Sequence, residues 1–200
     1  TAMKKTVLFT SLLLSVFVSL SACAAQLKFK NTHFSSNIYS IAASAERAVM
    51  VGADGYLATS EDGIDWTLRD SGTTGEIRNI VHAHGRFMAV GEGGIILSSA
   101  DGISWNKEDS GTSDPINAIA CANSGCVAVG FRGMILTSDT GSKWIPRNSG
   151  IADKGLLSVA SSNGKYVAVG EGGTILVSPD GISWEARKSG QAAWDLYHVS

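Results

Sequence analysis

The chain has few charged residues and no helical periodicity beyond its N-terminus. Asp, Glu, Lys and Arg make up 17% of the 200 residues, below the usual quarter. It also lacks the G-x-S-x-G, Walker and dinucleotide-binding fingerprints. Its formal net charge is −2 and becomes −4 without Lys4 and Lys5 of the N-terminal segment (14 basic minus 18 acidic side chains). A nucleic acid partner is therefore not expected, and no cofactor is predicted.

A segment of about 39 residues recurs four times, and the best-matched part of each copy ends in tryptophan. These parts are SEDGIDW, SADGISW, SDTGSKW and SPDGISW, at residues 60–66, 99–105, 138–144 and 178–184. The tryptophans lie 39, 39 and 40 residues apart. A fixed period of this size indicates supersecondary units that bury their apolar faces against their neighbours.

Each unit has the pattern of four short strands separated by tight turns. Runs of β-branched and aromatic residues alternate with turn dipeptides such as Asn163-Gly164, a G-x-x-G and a closing Ser-Gly. Four antiparallel strands per ~40 residues are typical of a β-propeller blade. The first run of a unit, such as 116–120 (INAIA), carries small residues where the blades of a propeller converge. The sequence predicts an all-β propeller with units at 38–72, 77–111, 116–150 and 156–190.

Residues 194–200 (WDLYHVS) repeat the opening of an innermost strand. Leu196 and Val199 align with Leu156 and Val159 of the fourth unit. The first unit already has its own innermost run at 38–43. A closed ring of four units would therefore have no position for a further innermost strand at 194–200. We expect an incomplete propeller, with four complete units and the start of a fifth, that is part of a longer protein.

The turn before each tryptophan resembles the Asp-box of sialidase-type (BNR) repeats, Ser/Thr-x-Asp-x-Gly-x-x-Trp. The whole unit, over roughly residues 35–200, resembles the repeats of the photosystem II assembly and stability factor propellers. The third unit has the full Asp-box spacing, and the others are one residue tighter between Asp and Gly. Because the box is structural in both families, the resemblance implies a scaffold role for eight residues: Asp62 and Trp66, Asp101 and Trp105, Asp139 and Trp144, and Asp180 and Trp184.

The N-terminus has the pattern of a bacterial secretory signal peptide. Lys4-Lys5 precede an apolar run over 7–20 and the tetrad Leu20-Ser21-Ala22-Cys23. The tetrad resembles a lipobox, which implies cleavage before Cys23 and lipid attachment to it; an ordinary signal peptide with a chance cysteine is the alternative. We expect a signal peptide at 1–22, a tether at 23–36 and the propeller at 37–200. Ala24 favours the outer membrane, with the protein facing the periplasm or exposed at the cell surface.

Two further cysteines have a pattern that predicts a disulfide bond. Aligning the units places Asn123-Ser124 at a hairpin turn, so that Cys121 faces Cys126 across two strands. Facing Cβ atoms lie ~4.5–5.5 Å apart, near the range that a disulfide needs. An exported protein folds in an oxidising compartment. The loop is short, so the bond should contribute at or below the low end of the usual ~2–4 kcal/mol.

Candidate binding residues lie in the turns between the second and third strands. Propellers usually bind partners where these turns meet the loops that lead into the innermost strands. The candidates are Asp54, Glu92, Phe131, Arg132 and Glu171. Phe131 and Arg132 place an aromatic ring beside a cation, a combination enriched in interfaces; the alternative is that turn tips are simply polar. His82 and His84 form an H-x-H without a third ligand in the pattern, so no metal site is predicted.

The remaining arginines argue against a sialidase. That activity needs three arginines around a carboxylate, a tyrosine with its glutamate and an acidic residue. The innermost runs offer only Arg78, whereas Arg69, Arg147 and Arg187 fall on outer strands.

We therefore expect a non-catalytic, lipid-anchored propeller without catalytic residues, which binds an envelope protein or scaffolds a complex. Its membrane contact would be the lipid on Cys23. One alternative is a glycan-binding or sialidase-like glycoside hydrolase propeller whose catalytic residues lie outside this chain. A second is a surface module without a discrete ligand.

Overall fold

The computed structural model describes residues 36–190 and 194–200. Within these ranges sixteen strands form four antiparallel sheets of four, and each sheet has its strands in chain order. The predicted all-β propeller architecture is confirmed. The predicted signal peptide, and the tether except for its last residue, lie outside the described residues.

The four sheets have closely similar bounds. The first comprises β1 (Ile38–Ala43), β2 (Ala48–Gly52), β3 (Leu57–Ser60) and β4 (Thr67–Leu68), and the second β5 (Ile77–Ala83), β6 (Arg86–Gly91), β7 (Ile96–Ser99) and β8 (Asn106–Glu108). The third comprises β9 (Ile116–Ala122), β10 (Gly125–Gly130), β11 (Ile135–Ser138) and β12 (Ile145–Arg147), and the fourth β13 (Leu156–Ser162), β14 (Lys165–Gly170), β15 (Thr174–Ser178) and β16 (Glu185–Arg187).

Each sheet has a short 3-10 turn between its second and third strands, which we call the tip turn. The tip turns are Ala53–Gly55, Glu92–Gly94, Phe131–Gly133 and Glu171–Gly173. In an antiparallel sheet of four, these turns lie at one end, and the other two connections lie at the opposite end. At that opposite end Asn163 and Gly164 have φ values of +51° and +76°, as expected for a tight hairpin turn.

The apolar core is divided into three clusters, one between each pair of successive sheets. In the first, Val49, Val51 and Leu57 of the first sheet pack against residues of the second sheet that include Phe87 and Leu97. The other two clusters join the second sheet to the third and the third to the fourth in the same way. The first and fourth sheets share no such cluster within the described residues. We call the face that a sheet turns toward its successor its forward face.

Hydrogen bonds between innermost strands repeat from sheet to sheet. The Ile80 amide of β5 donates to Ser40 Oγ of β1 at 3.3 Å, and the Ile119 amide of β9 donates to Asn79 Oδ1 of β5 at 2.9 Å. At the end of the chain, the Val199 amide donates to Ser158 Oγ of β13 at 3.2 Å. Residues 194–200 are not a regular strand, yet they make the bond that the next innermost strand would make.

Candidate binding face at the tip turns

The tip turns and the starts of the innermost strands lie on one face. The first three tip turns each contact the innermost strand of the following sheet, β5, β9 or β13. We define the tip face as the four tip turns, the first two residues of each innermost strand and the residue before it. All five binding residues predicted from the sequence lie on this face: Asp54, Glu92, Phe131, Arg132 and Glu171.

Asp54 and Arg132 are the middle residues of their tip turns, where the backbone is left-handed. Their φ values are +56° and +52°, and the second and fourth turns have Gly93 and Gly172 at this position. The left-handed region favours glycine, although aspartate tolerates it better than most residues. Both charged side chains are therefore held at the apex of a turn with a defined backbone.

Glu92 and Glu171 stabilise the tip face from within. Glu171 Oε2 accepts a hydrogen bond from the Gly155 amide at 2.7 Å, and Glu92 Oε2 accepts one from the Glu76 amide at 3.4 Å. Each carboxylate thus ties a tip turn to the loop that leads into the innermost strand of its own sheet. These two residues have a structural task that the sequence pattern did not indicate.

Phe131 and Arg132 interact with each other on the third tip turn. Phe131 is 43% exposed, and the guanidinium carbon of Arg132 lies 5.4 Å from the centroid of its ring. This is the range of a cation–π contact. The pair presents an aromatic ring and a positive charge at the same point of the face.

A polar network that the sequence did not reveal links the starts of the four innermost strands. The Tyr39 hydroxyl donates to Glu76 Oε1 at 3.2 Å, and Arg78 binds Glu76 Oε2 at 3.2 Å. Arg78 Nη1 then donates to Asn117 Oδ1 at 2.7 Å, and Asn117 Nδ2 donates to the carbonyl oxygen of Leu156 at 2.8 Å. Partial burial and the Glu76 carboxylate raise the pKa of Tyr39.

The network depends on a bulge at the start of each innermost strand. Tyr39, Arg78 and Asn117 each lie where the pairing register shifts by one residue. They also lie 39 residues apart along the chain. The signal that could have found them is the repeat position directly after the isoleucine that begins each of these innermost strands, because its residue type changes from unit to unit.

Residues 194–200 add to the tip face at the fourth sheet. Asp195 Oδ1 accepts a hydrogen bond from the Gly172 amide of the tip turn at 2.9 Å. Trp194 and Tyr197 on either side are 69% and 73% exposed. Among the described residues, the exposed Tyr, Phe and Trp side chains, Tyr39, Phe131, Trp194 and Tyr197, all lie on or beside the tip face.

Negative charge predominates on this face. Five carboxylates lie on or next to it, against the guanidinium groups of Arg78 and Arg132 and the ammonium group of Lys154 beside the fourth tip turn, and Arg78 is already paired with Glu76. The carboxylates belong to Asp54, Glu76, Glu92, Glu171 and Asp195. An acidic surface with exposed aromatic rings is suited to a segment that carries lysine or arginine, because carboxylates and ring faces both attract cations.

The turns that precede the tryptophans lie at the opposite end of the sheets and are structural. Asp101 Oδ1 accepts the amides of Ile103 and Ser104 at 2.8 and 2.9 Å and the Ser99 hydroxyl at 3.0 Å. Trp105 Nε1 donates to the carbonyl oxygen of Gly102 at 3.1 Å. These bonds lower the pKa of Asp101 to about 2. Asp62 and Asp180 make the equivalent bonds, and their pKa values are also lowered.

The third of these turns differs from the expectation. Asp139 lies one position before the site that aspartate occupies in the other three, and Thr140 stands at that site. The Thr140 hydroxyl lies 2.9 Å from the Ser142 hydroxyl, whereas the structure shows Asp139 in no bond of the Asp101 type. The glycine and tryptophan keep their places, since Trp144 Nε1 donates to the Gly141 carbonyl oxygen at 3.2 Å. The position that Asp101 holds in the second unit is therefore held by Thr140 in the third.

Cys121 and Cys126 face each other in the β9–β10 register and form a disulfide bond. At the same pair of positions in the second sheet, the rings of His82 and Phe87 lie 4.6 Å apart. Burial lowers the pKa of His82. No group of three or more potential metal ligands occurs in the described parts of the chain. Cys23, the predicted lipidation site, lies outside them.

The arginines do not converge on one site. Arg78 lies at the start of β5, whereas Arg69 follows β4 and Arg147 and Arg187 end the outer strands β12 and β16. Arg69 and Arg147 each donate through Nε to a threonine hydroxyl of the adjacent strand, at 3.0 and 2.8 Å. They stabilise the outer edges of their sheets. In the part of the chain that the structure describes, no helix is long and apolar enough to cross a membrane.

Comparison with known proteins shows the fold. No protein-family model matches the chain, and no curated protein matches it in sequence. Among solved structures, it is similar to YCF48 from Cyanidioschyzon merolae (TM-score 0.60, 21% identity, 80% of this chain and 59% of that one). It is also similar to YCF48 bound to D1 peptide (TM-score 0.61, 20% identity, 82% of this chain and 61% of that one).

The chain is also similar in fold to a designed protein. The chain matches the computationally designed Ika4 protein with a TM-score of 0.63 and 16% identity, over 78% of this chain and 98% of that one. The chain spans less than two thirds of the length of the two YCF48 structures. The YCF48 neighbours confirm, at the level of fold, the resemblance to photosystem II assembly factor propellers.

Proposed function

We propose that this protein is a non-catalytic, lipid-anchored β-propeller of the bacterial envelope that uses its tip face to bind a segment of another protein. The observation that carries the proposal is the concentration of exposed aromatic rings and carboxylates on that face. Interfaces are enriched in aromatic residues and arginine at their centres. YCF48 bound to D1 peptide is a neighbour of the same fold that holds a peptide.

The charge of the face favours a partner segment with lysine or arginine side chains. Tyr39, Phe131 and Tyr197 offer ring faces, and Asp54 offers a carboxylate at the apex of a turn. The polar network from Tyr39 to Asn117 holds the neighbouring strand starts in fixed positions, so little ordering should accompany binding. A preorganised face loses less conformational entropy when a partner binds.

The anchor and the location belong to the same proposal. The tetrad Leu20-Ser21-Ala22-Cys23 supports lipid attachment to Cys23, and Ala24 supports the outer membrane, facing the periplasm or exposed at the cell surface. Labelled fatty acid should enter the wild-type protein and not Cys23→Ser. Labelling that persists in Cys23→Ser would contradict the anchor without affecting the binding proposal.

A photo-crosslinking experiment tests the binding face. Phe131 and Ile145 are equally exposed, at 43% and 42%, but Ile145 lies on the outer strand β12. A photoreactive residue at 131 should capture a defined envelope protein in cells, and one at 145 should not. The captured protein is then purified, and its affinity is measured for the wild type and for three variants.

The three variants compare residues of the tip face with an exposed residue on an outer strand. Phe131→Ala, and separately Asp54→Asn, should each weaken the affinity at least tenfold. Ile145→Ala should leave it unchanged. Equal affinities for all four proteins would remove the tip face from consideration as the binding site.

A further inference from the structure

Opposite charges occupy the same repeat position in the first and third tip turns. Asp54 and Arg132 are the middle residues of these turns, and both are exposed. Gly93 and Gly172 hold this position in the other two turns. The fold therefore requires only a residue that tolerates a left-handed backbone, and an arginine there has a conformational cost that glycine does not have. Residues held at such a cost are concentrated at binding and catalytic sites.

Neither of these two charges is neutralised within the part of the chain that the structure describes. The Asp54 carboxylate makes no hydrogen bond and no ion pair there. Arg132 contacts the ring of Phe131, which covers one side of the planar guanidinium and leaves the N–H donors on its edge. The other carboxylates of the tip face have partners: Glu76 pairs with Arg78, and Glu92, Glu171 and Asp195 accept backbone amides.

The two charges are separated by the second tip turn. Facing sheets lie about 10 Å apart, so two steps place Asp54 and Arg132 about 20 Å apart along the face. An extended chain advances about 3.3 Å per residue, so about six residues span this distance. The turn between them has Gly93 at its apex, and a Cβ added there would meet nothing within 4 Å. The backbone of a bound segment can therefore cross the second tip turn without obstruction.

We infer that the tip face binds a segment that carries charges of both signs, with a lysine or arginine on Asp54 and, about six residues away, an aspartate or glutamate on Arg132. The inference rests on the proposed function and specifies the charge pattern of the partner. A segment with basic residues alone would bring a like charge to Arg132, which opposes binding. A carboxylate there can accept two parallel N–H bonds from the guanidinium. The two charges thus also determine which end of the segment lies on which sheet.

The probe is the peptide acetyl-KGSGSGE-amide. Its lysine and glutamate are six residues apart, and its blocked ends leave these two side chains as its only charges. The peptide is added at low salt to the isotopically labelled full chain, and NMR follows the backbone amides of Ala53–Gly55 and Phe131–Gly133. The amides of both turns should shift together and saturably. Two further peptides have glutamate at both ends or lysine at both ends.

Charge reversal in the protein tests each end of the segment separately. Asp54→Lys should weaken the affinity for the probe at least about fivefold, and the peptide with two glutamates should restore it. Arg132→Glu should weaken the affinity by a similar factor, and the peptide with two lysines should restore it. Asp65→Lys and Lys143→Glu make the same charge changes in exposed turns at the opposite end of the sheets. These two control variants should bind the probe as the wild type does.

Arg132→Gly separates binding from folding. It should weaken the affinity for the probe without lowering the melting temperature, because glycine holds this position in two other turns. Absence of saturable shifts, or restored affinity in fewer than both charge reversals, would overturn the inference. Capture of an envelope protein through residue 131, together with unrestored affinities, would overturn this inference and leave the proposed function standing.

Discussion

The carboxylate of Asp101 should stabilise the fold, and that of Asp139 should not. Asp101 accepts two backbone amides and one hydroxyl, much as a residue at a helix N-terminus satisfies free amides. Removing such an acceptor costs about 0.5–2 kcal/mol. Because Asp101 is exposed, water can replace part of the loss, so we expect Asp101→Ala to lower the free energy of unfolding by about 1 kcal/mol.

The matched variant is Asp139→Ala, which removes the same group from a turn in which Thr140 stands at the aspartate's place. Its cost should stay within about 0.5 kcal/mol, as for an ordinary surface change. Urea unfolding followed by tryptophan fluorescence measures both.

The pH dependence gives a second test. The pKa of Asp101 is about 2 in the folded chain and about 3.9 when the chain is unfolded. Its contribution is complete above about pH 5 and is lost progressively as the pH falls through about 2, so the difference between wild type and Asp101→Ala should shrink over that range. Equal losses for Asp101→Ala and Asp139→Ala, or a difference that does not depend on pH, would refute the assignment of the turn residues.

Three further predictions concern the core, the disulfide and His82. Gly91→Ala should lower the melting temperature much more than Gly72→Ala. A Cβ at 91 would collide with the Glu76 carbonyl oxygen, whereas a Cβ at 72 would meet only open space. The cost at 72 is that of placing alanine in a left-handed backbone conformation, about 1–2 kcal/mol. Replacing both Cys121 and Cys126 by alanine should cost less than about 2 kcal/mol in a urea titration, because the closed loop is short; a larger loss would mean that the bond does more than close its hairpin. Burial lowers the pKa of His82, so the native state favours the neutral ring and stability should fall as the pH drops below about 6.5. His82→Gln should therefore make the urea midpoint depend less on pH between pH 7 and 5 than it does in the wild type.

The four sheets and their strand order were predictable because the sequence repeats with a period of about 39 residues. Each unit must bury its apolar strands against the next, and the tryptophan turns and the glycine pairs mark its ends. The same alignment indicated that Cys121 would face Cys126, which is the register of β9 and β10. It also located the tip turns and therefore Asp54, Glu92, Phe131, Arg132 and Glu171 on one face.

The polar network and the third turn were not predictable from the repeat. Tyr39, Arg78 and Asn117 interact only because a bulge shifts each strand start and because neighbouring innermost strands lie side by side. Neither feature has a sequence signal in a single unit. In the third turn the spacing of the Asp-box points to Asp139, whereas the distance from Ser138 to Gly141 and Trp144 leaves Thr140 at the position that Asp101 holds in the second turn.

The division of the apolar core into three clusters has a consequence for how the protein opens. The second and third sheets each contribute to two clusters, whereas the first and the fourth contribute to one each. Local opening should therefore begin at the first or the fourth sheet and travel inward one sheet at a time. A protease acting on the native protein would then release the outer sheets before the inner ones, and the order of their release would report the relative strength of the three clusters.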